Sequence, residues 1–247
     1  MKVIVIIPAA GLGTRMGAAA GKAKKPAGAK PAALPSKQFA DLAGAPIIIH
    51  TLRRFAESKQ IDSMVVALRK EDVKSFQSAV NQERFAGQVQ LVEGGENRQQ
   101  SVANALAHVK ADAKDIVLVH DAVRPFITAE LIGRVISAAT KHGAAIAGMP
   151  AVDTVKQVDR TADGAIITST IPRERVVMAQ TPQGFRYDVL KKAFDEAQTD
   201  AFTGTDEASL VERSGHQVAV VMGSPQNIKI TTPGDMELAE FYMKTKN

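Results

Sequence analysis

Val3-Ile-Val-Ile-Ile7-Pro8-Ala-Ala-Gly11-Leu-Gly13-Thr-Arg15-Met-Gly17 is the stretch on which the fold reading turns. Five β-branched residues in succession leave no polar face, so the run reads as a strand buried on both sides. Pro8 ends it and a glycine loop follows. Gly11 and Gly13 let backbone N–H groups turn toward an anion with no Cβ in the way. Arg15 adds a fixed charge with a planar fork of donors. The loop departs from a dinucleotide fingerprint. Met16 stands where the third glycine belongs, and an arginine inside the loop suits a triphosphate better than a pyrophosphate already neutralised. Tight strand-to-helix turns use glycine for steric reasons too, so the loop alone leaves both readings open.

Working outward, short apolar runs recur at Met64–Leu68, Val89–Val92, Ile116–Val119 and Ala145–Met149. Helical patterns lie between them, near Ile47–Glu57, Glu71–Asn81, Arg98–Val109 and Ala129–His142. Alternation of this kind, with nearly all-apolar strands, predicts an α/β fold: a Rossmann-like, mostly parallel sheet with helices on both faces. Pro46 near a helix start and Gly143 after Lys141-His142 are the expected start and stop signals. After Pro150 the pattern changes. Residues 151–180 alternate roughly around Asp163-Gly164, a hairpin signal. A protruding β-arm is expected at about 152–176, with Thr154–Val158 pairing Ala165–Thr170. Helices follow at Tyr187–Ala197 and Thr205–Ser214, then strands at Val218–Met222 and Ile228–Thr231. Thr232 and Pro233 suit the cap and first turn of a terminal helix.

The chain has 247 residues, of which 45% are hydrophobic, which fits one large domain over 1–247. No cysteine is present, excluding disulfides and thiolate metal sites. The N-terminal apolar run is too short for a signal-peptide core, and no later run approaches a membrane span. A soluble cytoplasmic protein is expected. The net charge of +5 invites a nucleic-acid reading. Its location argues otherwise: Lys22, Lys24, Lys25 and Lys30 fall within residues 18–36, where there is no acid. Aromatics make up 4% of the chain and tryptophan is absent, so no stacking platform for nucleic acid is available. Residues 18–36 are mostly Ala, Lys, Pro and Gly. They read as a flexible insertion with little apolar area to bury.

Ligands of parallel sheets bind at the carboxyl ends of the strands. There the sequence places Gly11–Arg15, then Glu93-Gly94-Gly95-Glu96-Asn97-Arg98-Gln-Gln-Ser101, then His120-Asp121-Ala-Val-Arg124-Pro125, and lastly Asn227-Ile-Lys229. Three of these groups offer anion-binding residues. Asp121 is a hard oxygen ligand for Mg²⁺, which takes one or two carboxylates plus phosphate oxygens. An aspartate at a loop or cap is the plainer reading of the same residue. Lys229 within an apolar run reads either as an anion partner or as an edge-strand lysine that blocks aggregation. His120 reads as a satisfied, partly buried histidine. No Ser-His-Asp or Walker-A pattern is present.

Taken in order, Pro8–Gly17, Lys37-Gln-Phe39, Gly94–Ser101, Val119–Pro125, Asp153-Thr154-Val-Lys156, Gln180-Thr181-Pro-Gln183, Thr205-Asp-Glu-Ala-Ser209 and Asn227-Ile-Lys229 resemble the 2-C-methyl-D-erythritol 4-phosphate cytidylyltransferases over nearly the whole chain. The resemblance implies roles. Pro8, Ala9, Ala10, Gly11, Gly13 and Arg15 would bind CTP phosphates, with Gly95, Glu96 and Ser101 on the cytidine side and Ala122 and Arg124 nearby. Asp121 would hold Mg²⁺ or another divalent cation. Arg15 and Lys37 would stabilise the transition state. Thr154, Arg173, Thr181, Thr205 and Lys229 would surround the sugar-alcohol phosphate. In the family the arm crosses to a second subunit, so a homodimer with shared sites is implied. The family places its lysine in Pro-Lys-Gln shortly after the loop arginine. Here Ser36 replaces the proline and residues 18–36 intervene, so Lys37 is chosen by the frame of Gln38-Phe39 that follows. Ribitol-5-phosphate cytidylyltransferase is the alternative that His120–Phe126 would fit equally.

Overall fold

A computed structural model describes residues 1–11 and 36–245. Gly13, Arg15 and all but Ser36 of the expected insertion lie outside the described residues. The first strand, β1 (Val3–Pro8), is buried along its length. A small hairpin, β2 (Asp41–Leu42) and β3 (Ala45–Pro46), leads into α1 (Ile47–Ala56). The chain continues through β4 (Ser63–Leu68), α2 (Lys70–Val80), β5 (Val89–Glu93), α3 (Arg98–Ala107), β6 (Ile116–Val119), α4 (Ala129–His142) and β7 (Ala144–Pro150). The arm is β8 (Val155–Thr161) and β9 (Gly164–Ile171), followed by β10 (Val177–Arg186). The remainder is α5 (Tyr187–Thr199), α6 (Glu207–Arg213), β11 (Ala219–Met222) and α7 (Pro233–Thr245).

Seven strands form one sheet in the order β11-β7-β10-β6-β1-β4-β5. β1 runs parallel to β4 and β6, β4 to β5, and β7 to β11. The doubly buried run of β1 explains the layering. Val3, Val5 and Ile7 point to a core shared with α1, α2 and α4. Ile4 and Ile6 point to the opposite core, shared with α3, α5 and α6. Each such side chain contributes about 1.5–3 kcal/mol by leaving water. A third, smaller core of Leu42, Ile47, Val123, Phe126, Ile230 and Ala239 lies under α7. Gly143 ends α4 with φ +85°, where a Cβ is disfavoured. Among the described residues, no helix is long and apolar enough to cross a membrane.

Two expectations are corrected. No strand forms over Ile228–Thr231. That segment uses its polar groups on the loop after β6 instead: Ile230 N–H donates to the Val123 carbonyl at 2.9 Å, while Ile230 fills the third core. The sequence reading also passed over β10, which enters the sheet antiparallel between β6 and β7. Its polar centre, Gln180-Thr181-Pro182-Gln183, hid it. The ladder with β7 slips between Gln180 and Gln183, freeing these side chains for bonds to loops. The arm is present but slightly longer than expected. Thr161 pairs with Gly164, so Ala162-Asp163 form the connection, and Gly164 takes a φ of +145°. Ile166 and Ile167 are 63% and 60% exposed on it, although they are β-branched and apolar.

Candidate active site

The carboxyl ends of β1, β5 and β6 open on a cavity of about 220 Å³. Its floor begins at Pro8–Gly11, which continues the line of β1: Ala9 N–H donates to the Ala67 carbonyl at 2.7 Å. The loop after β5 touches this floor. Gly94 has no side chain because a Cβ there would lie 2.6 Å from that of Ala10 and 3.1 Å from Ser101 Oγ. Asn97 caps α3, its side chain accepting from Gln100 N–H at 2.9 Å. Ser101 Oγ accepts from Gly95 N–H at 3.0 Å and donates to the Asn97 carbonyl at 2.8 Å. The start of α3 is thereby fixed at the cavity wall.

Lys37 lines the cavity from a short 3-10 turn, Lys37–Phe39. The next residue sets its place. Gln38, 3% exposed, donates from Nε2 to the Ala9 carbonyl at 2.6 Å. That bond ties the turn that carries Lys37 to the end of β1.

Asp121 sits at the end of β6 in the wall of the cavity, 7% exposed. Lys229 Nζ lies 2.8 Å from Oδ2 and Arg124 Nε 3.3 Å from the same oxygen, while Arg98 Nε lies 3.5 Å from Oδ1. Burial alone would push this carboxyl up. Lys229, Arg98 and Arg124 together outweigh it and hold the group well below the usual carboxylate range. The loop is braced from behind. Thr181 Oγ1 accepts from Asp121 N–H at 3.0 Å and bonds His120 Nδ1 at 3.1 Å. His120 Nε2 lies 3.2 Å from the Arg124 carbonyl, which can only accept. The ring is therefore the neutral Nε2–H tautomer. Burial lowers its pKa to about 4, so His120 is a satisfied core histidine, fully buried rather than partly. Arg124 Nη1 donates to the Asn227 carbonyl at 2.7 Å, and Asn227 Nδ2 to the Thr181 carbonyl at 2.8 Å. These bonds fix the irregular segment that delivers Lys229.

Of the residues expected at the site, the cavity brings together Pro8, Ala9, Ala10, Gly11, Lys37, Gly95, Glu96, Ser101, Asp121, Ala122 and Lys229. Arg124 and Thr181 stand behind it, both buried. Thr205 is exposed in the turn before α6. Thr154 and Arg173 flank the arm and do not line this cavity; Arg173 Nη1 donates to the Val152 carbonyl at 2.9 Å. Sequence reasoning named Arg98 only as a member of the second glycine loop and gave no role to Glu207. Arg98 lines the cavity and pairs with Glu207, which is 1% exposed, through contacts of 2.7 and 2.9 Å. A signal for Arg98 was its place directly after a Gly-Gly loop. Glu207 had none, because an acid opening a helix is ordinary.

The described residues contain no group of three or more His, Cys, Asp or Glu arranged to hold a metal. The ionised Asp121 carboxylate, in a cavity rimmed by cations, fits a divalent cation that arrives on phosphate oxygens. It does not fit one held by protein ligands alone.

The comparisons with known proteins agree with one another. A family model described as IspD, 2-C-methyl-D-erythritol 4-phosphate cytidylyltransferase, matches residues 3–245. A protein of that name from Acidobacterium capsulatum is 57% identical over 247 residues, covering 100% of this chain and 99% of its own length. One from Solibacter usitatus is 51% identical over 99% of this chain and 96% of its own. Among solved structures, the 4-diphosphocytidyl-2C-methyl-D-erythritol synthase of Anaerococcus prevotii superposes with a TM-score of 0.80 at 29% identity, over 98% of this chain and 96% of that one. The Thermus thermophilus 2-C-methyl-D-erythritol 4-phosphate cytidylyltransferase gives 0.74 at 31% identity, over 99% and 100%. Sequence, fold and the cavity at the strand ends lead to one assignment: the chain belongs to the 2-C-methyl-D-erythritol 4-phosphate cytidylyltransferase family.

Proposed function

We propose that this chain transfers the cytidylyl group of CTP to 2-C-methyl-D-erythritol 4-phosphate. A phosphate oxygen of the sugar alcohol attacks the α-phosphorus in line. The bond from that phosphorus to the bridging oxygen breaks, and pyrophosphate leaves. The products are 4-diphosphocytidyl-2-C-methyl-D-erythritol and pyrophosphate. The observation that carries the reading is the cavity itself, which Lys37, Lys229 and two glycine-containing loops line together with an ionised Asp121. Ribitol 5-phosphate as the acceptor is disfavoured, because the whole-chain relatives are named for the methylerythritol substrate.

Both reactants are anions, so the work is mainly electrostatic and positional. Pro8–Gly13 and Arg15 bind the triphosphate. Gly95, Glu96 and Ser101 read the cytidine. Lys37 and Arg15 stabilise charge that develops as pyrophosphate departs. Lys229, Thr205, Thr154 and Arg173 orient the acceptor phosphate, the last two from beside the arm of a second copy. Arg124 and Thr181 support Asp121 from behind. Asp121 is the protein's ligand for Mg²⁺ or a similar cation, which supplies charge neutralisation on phosphate oxygens when bound. No protein nucleophile or base is required, because the attacking phosphate is already ionised. The protein acts as a single domain in the cytoplasm.

Pyrophosphate release tests the reaction. CTP with methylerythritol phosphate is expected to support turnover, and ribitol 5-phosphate in its place to give little. CTP is expected to exceed UTP, ATP and GTP by about a hundredfold or more in kcat/KM, since a site built to hydrogen-bond one base leaves its polar groups unpaired with another. Equal use of UTP would remove the cytidine role from Gly95, Glu96 and Ser101.

The arm yields a separate prediction. Val158, Ile166 and Ile167 are exposed on it, and Val220 and Met222 are exposed on edge strand β11. Exposed apolar side chains on both elements support an interface between copies, and a two-fold homodimer is the simplest closed assembly. Arg173→Ala and Lys229→Ala are each expected to be nearly inactive. When the two are unfolded and refolded together, activity is expected to recover to about a quarter of wild type. Half of randomly assorted dimers are mixed, and each mixed dimer has one intact site if the arms cross. No recovery, in a mixture shown to be dimeric, would mean that each chain supplies its own Arg173.

A further inference from the structure

The two oxygens of Asp121 are not treated alike. Oδ2 receives Lys229 at 2.8 Å and Arg124 at 3.3 Å. Oδ1 faces Arg98 Nε at 3.5 Å, beyond the about 2.7–2.9 Å at which a guanidinium normally closes on a carboxylate. Arg98 makes its short contacts elsewhere. Its Nη1 is shared between both oxygens of Glu207, at 2.7 and 2.9 Å.

The two partners are anchored where they meet. Arg98 is the first residue of α3, and the Asn97 cap fixes that helix start. Gln99 ties the same turn to the segment before α6, donating to the Phe202 carbonyl at 3.0 Å and accepting from Gly204 N–H at 2.9 Å. Glu207 is the first residue of α6. The capping box of Asp206 and Ser209 fixes it, and Gln183 donates to Asp206 Oδ2 at 2.7 Å. Neither helix start can slide to relax the pair.

Helix chemistry does not explain Glu207. An acid in the first turn serves the helix dipole from the surface, yet this one is buried, where a carboxylate is costly unless paired. Its partner Arg98 lines the cavity beside Asp121. We propose that Glu207 is a positioning residue: it holds Arg98 off Asp121, so that Oδ1 stays open to a divalent cation carried by CTP. The proposal rests on the reading of Asp121 as that cation's ligand. Losing the Glu207 charge lets Arg98 close on Oδ1 and compete with the cation, while leaving metal-free nucleotide binding in place.

The test is equilibrium binding of CTP to the whole chain, with no acceptor present, in Mn²⁺ and in EDTA. The readout is the ratio of the two dissociation constants. Glu207→Gln keeps the shape and an acceptor oxygen but removes the charge. It is expected to reduce the Mn²⁺ advantage at least tenfold while changing affinity in EDTA by less than threefold. The double variant Arg98→Met/Glu207→Gln removes both buried charges and the competitor. It is expected to keep the Mn²⁺ advantage within threefold of wild type. A wild-type ratio in Glu207→Gln overturns the proposal, as does an equal loss in Mn²⁺ and EDTA, which a purely structural role would give. A tenfold fall in the double variant overturns it even if Glu207→Gln alone does not fold. Asp121→Asn separates the two layers. If it abolishes the Mn²⁺ advantage and Glu207→Gln does not reduce it, only the positioning role fails. If it keeps the advantage, the Asp121 reading fails.

Discussion

Asp121→Asn is expected to lower turnover about a thousandfold or more, with pyrophosphate release as the measurement. Removing one preorganised charge-stabilising group commonly costs 10²–10³ in rate, and here the change does more. It leaves Arg98, Arg124 and Lys229 around a neutral amide, so three cations lose their shared counter-charge. Breaking a buried pair by removing one partner costs about 3–5 kcal/mol, so the melting temperature is expected to fall as well. Chelation separates the two contributions. EDTA on the wild-type protein is expected to abolish turnover without lowering the melting temperature, and full turnover in EDTA would withdraw the metal from Asp121. The pH dependence follows from sign. The folded-state pKa of Asp121 is depressed, so its stabilising contribution is present above the unfolded carboxylate range. That contribution is lost only as the pH falls through the lower folded value. Loss of activity near pH 6 would therefore belong to the substrates or another group.

Lys37→Ala is expected to lower kcat by about 10²–10³, again the scale for one preorganised cation facing a transition state. Lys37 lines the cavity, and Gln38 secures its turn through the 2.6 Å bond to the Ala9 carbonyl. Changing Lys22, Lys24, Lys25 and Lys30 together to alanine tests the alternative. These lysines can attract CTP at longer range, an effect that salt screens. The fourfold variant is expected to raise the KM for CTP and flatten its salt dependence, with kcat nearly unchanged. The reverse pattern, Lys37→Ala active and the fourfold variant inactive, would place the transition-state lysine within residues 18–36.

Four of the central strands that sequence reasoning found share one property. β1, β4, β6 and β7 are apolar almost throughout because helices cover both faces. Their ends, and those of the helices between them, were legible to within a residue or two. β10 was not, because its central residues serve the site and break the apolar run that marks a buried strand. Within the site, the residues that met the cavity through backbone loops were legible: glycines and Asp121 follow directly from strand ends. The pairing of Arg98 with Glu207 was not. They stand 109 positions apart, and neither residue signals the other. Lys229 was found for a wrong local reason. It was read inside a strand, whereas bonds through Asn227 hold it in irregular chain.

The place of β10 bears on how the chain is made. β6 and β7 do not touch in the sheet; Val177–Arg186 lies between them and pairs with both. Until the ribosome has released residue 186, the nascent chain therefore lacks the partner for the facing edges of Ile116–Val119 and Ala144–Pro150, whose side chains are nearly all apolar. Such edges readily capture a neighbouring chain. The arm, Val155–Ile171, is synthesised between the exposed edges and the strand that joins them. The interval of greatest aggregation hazard is thus set by the length of the arm. Shortening the arm would hasten closure during synthesis, whatever it did to the assembled enzyme.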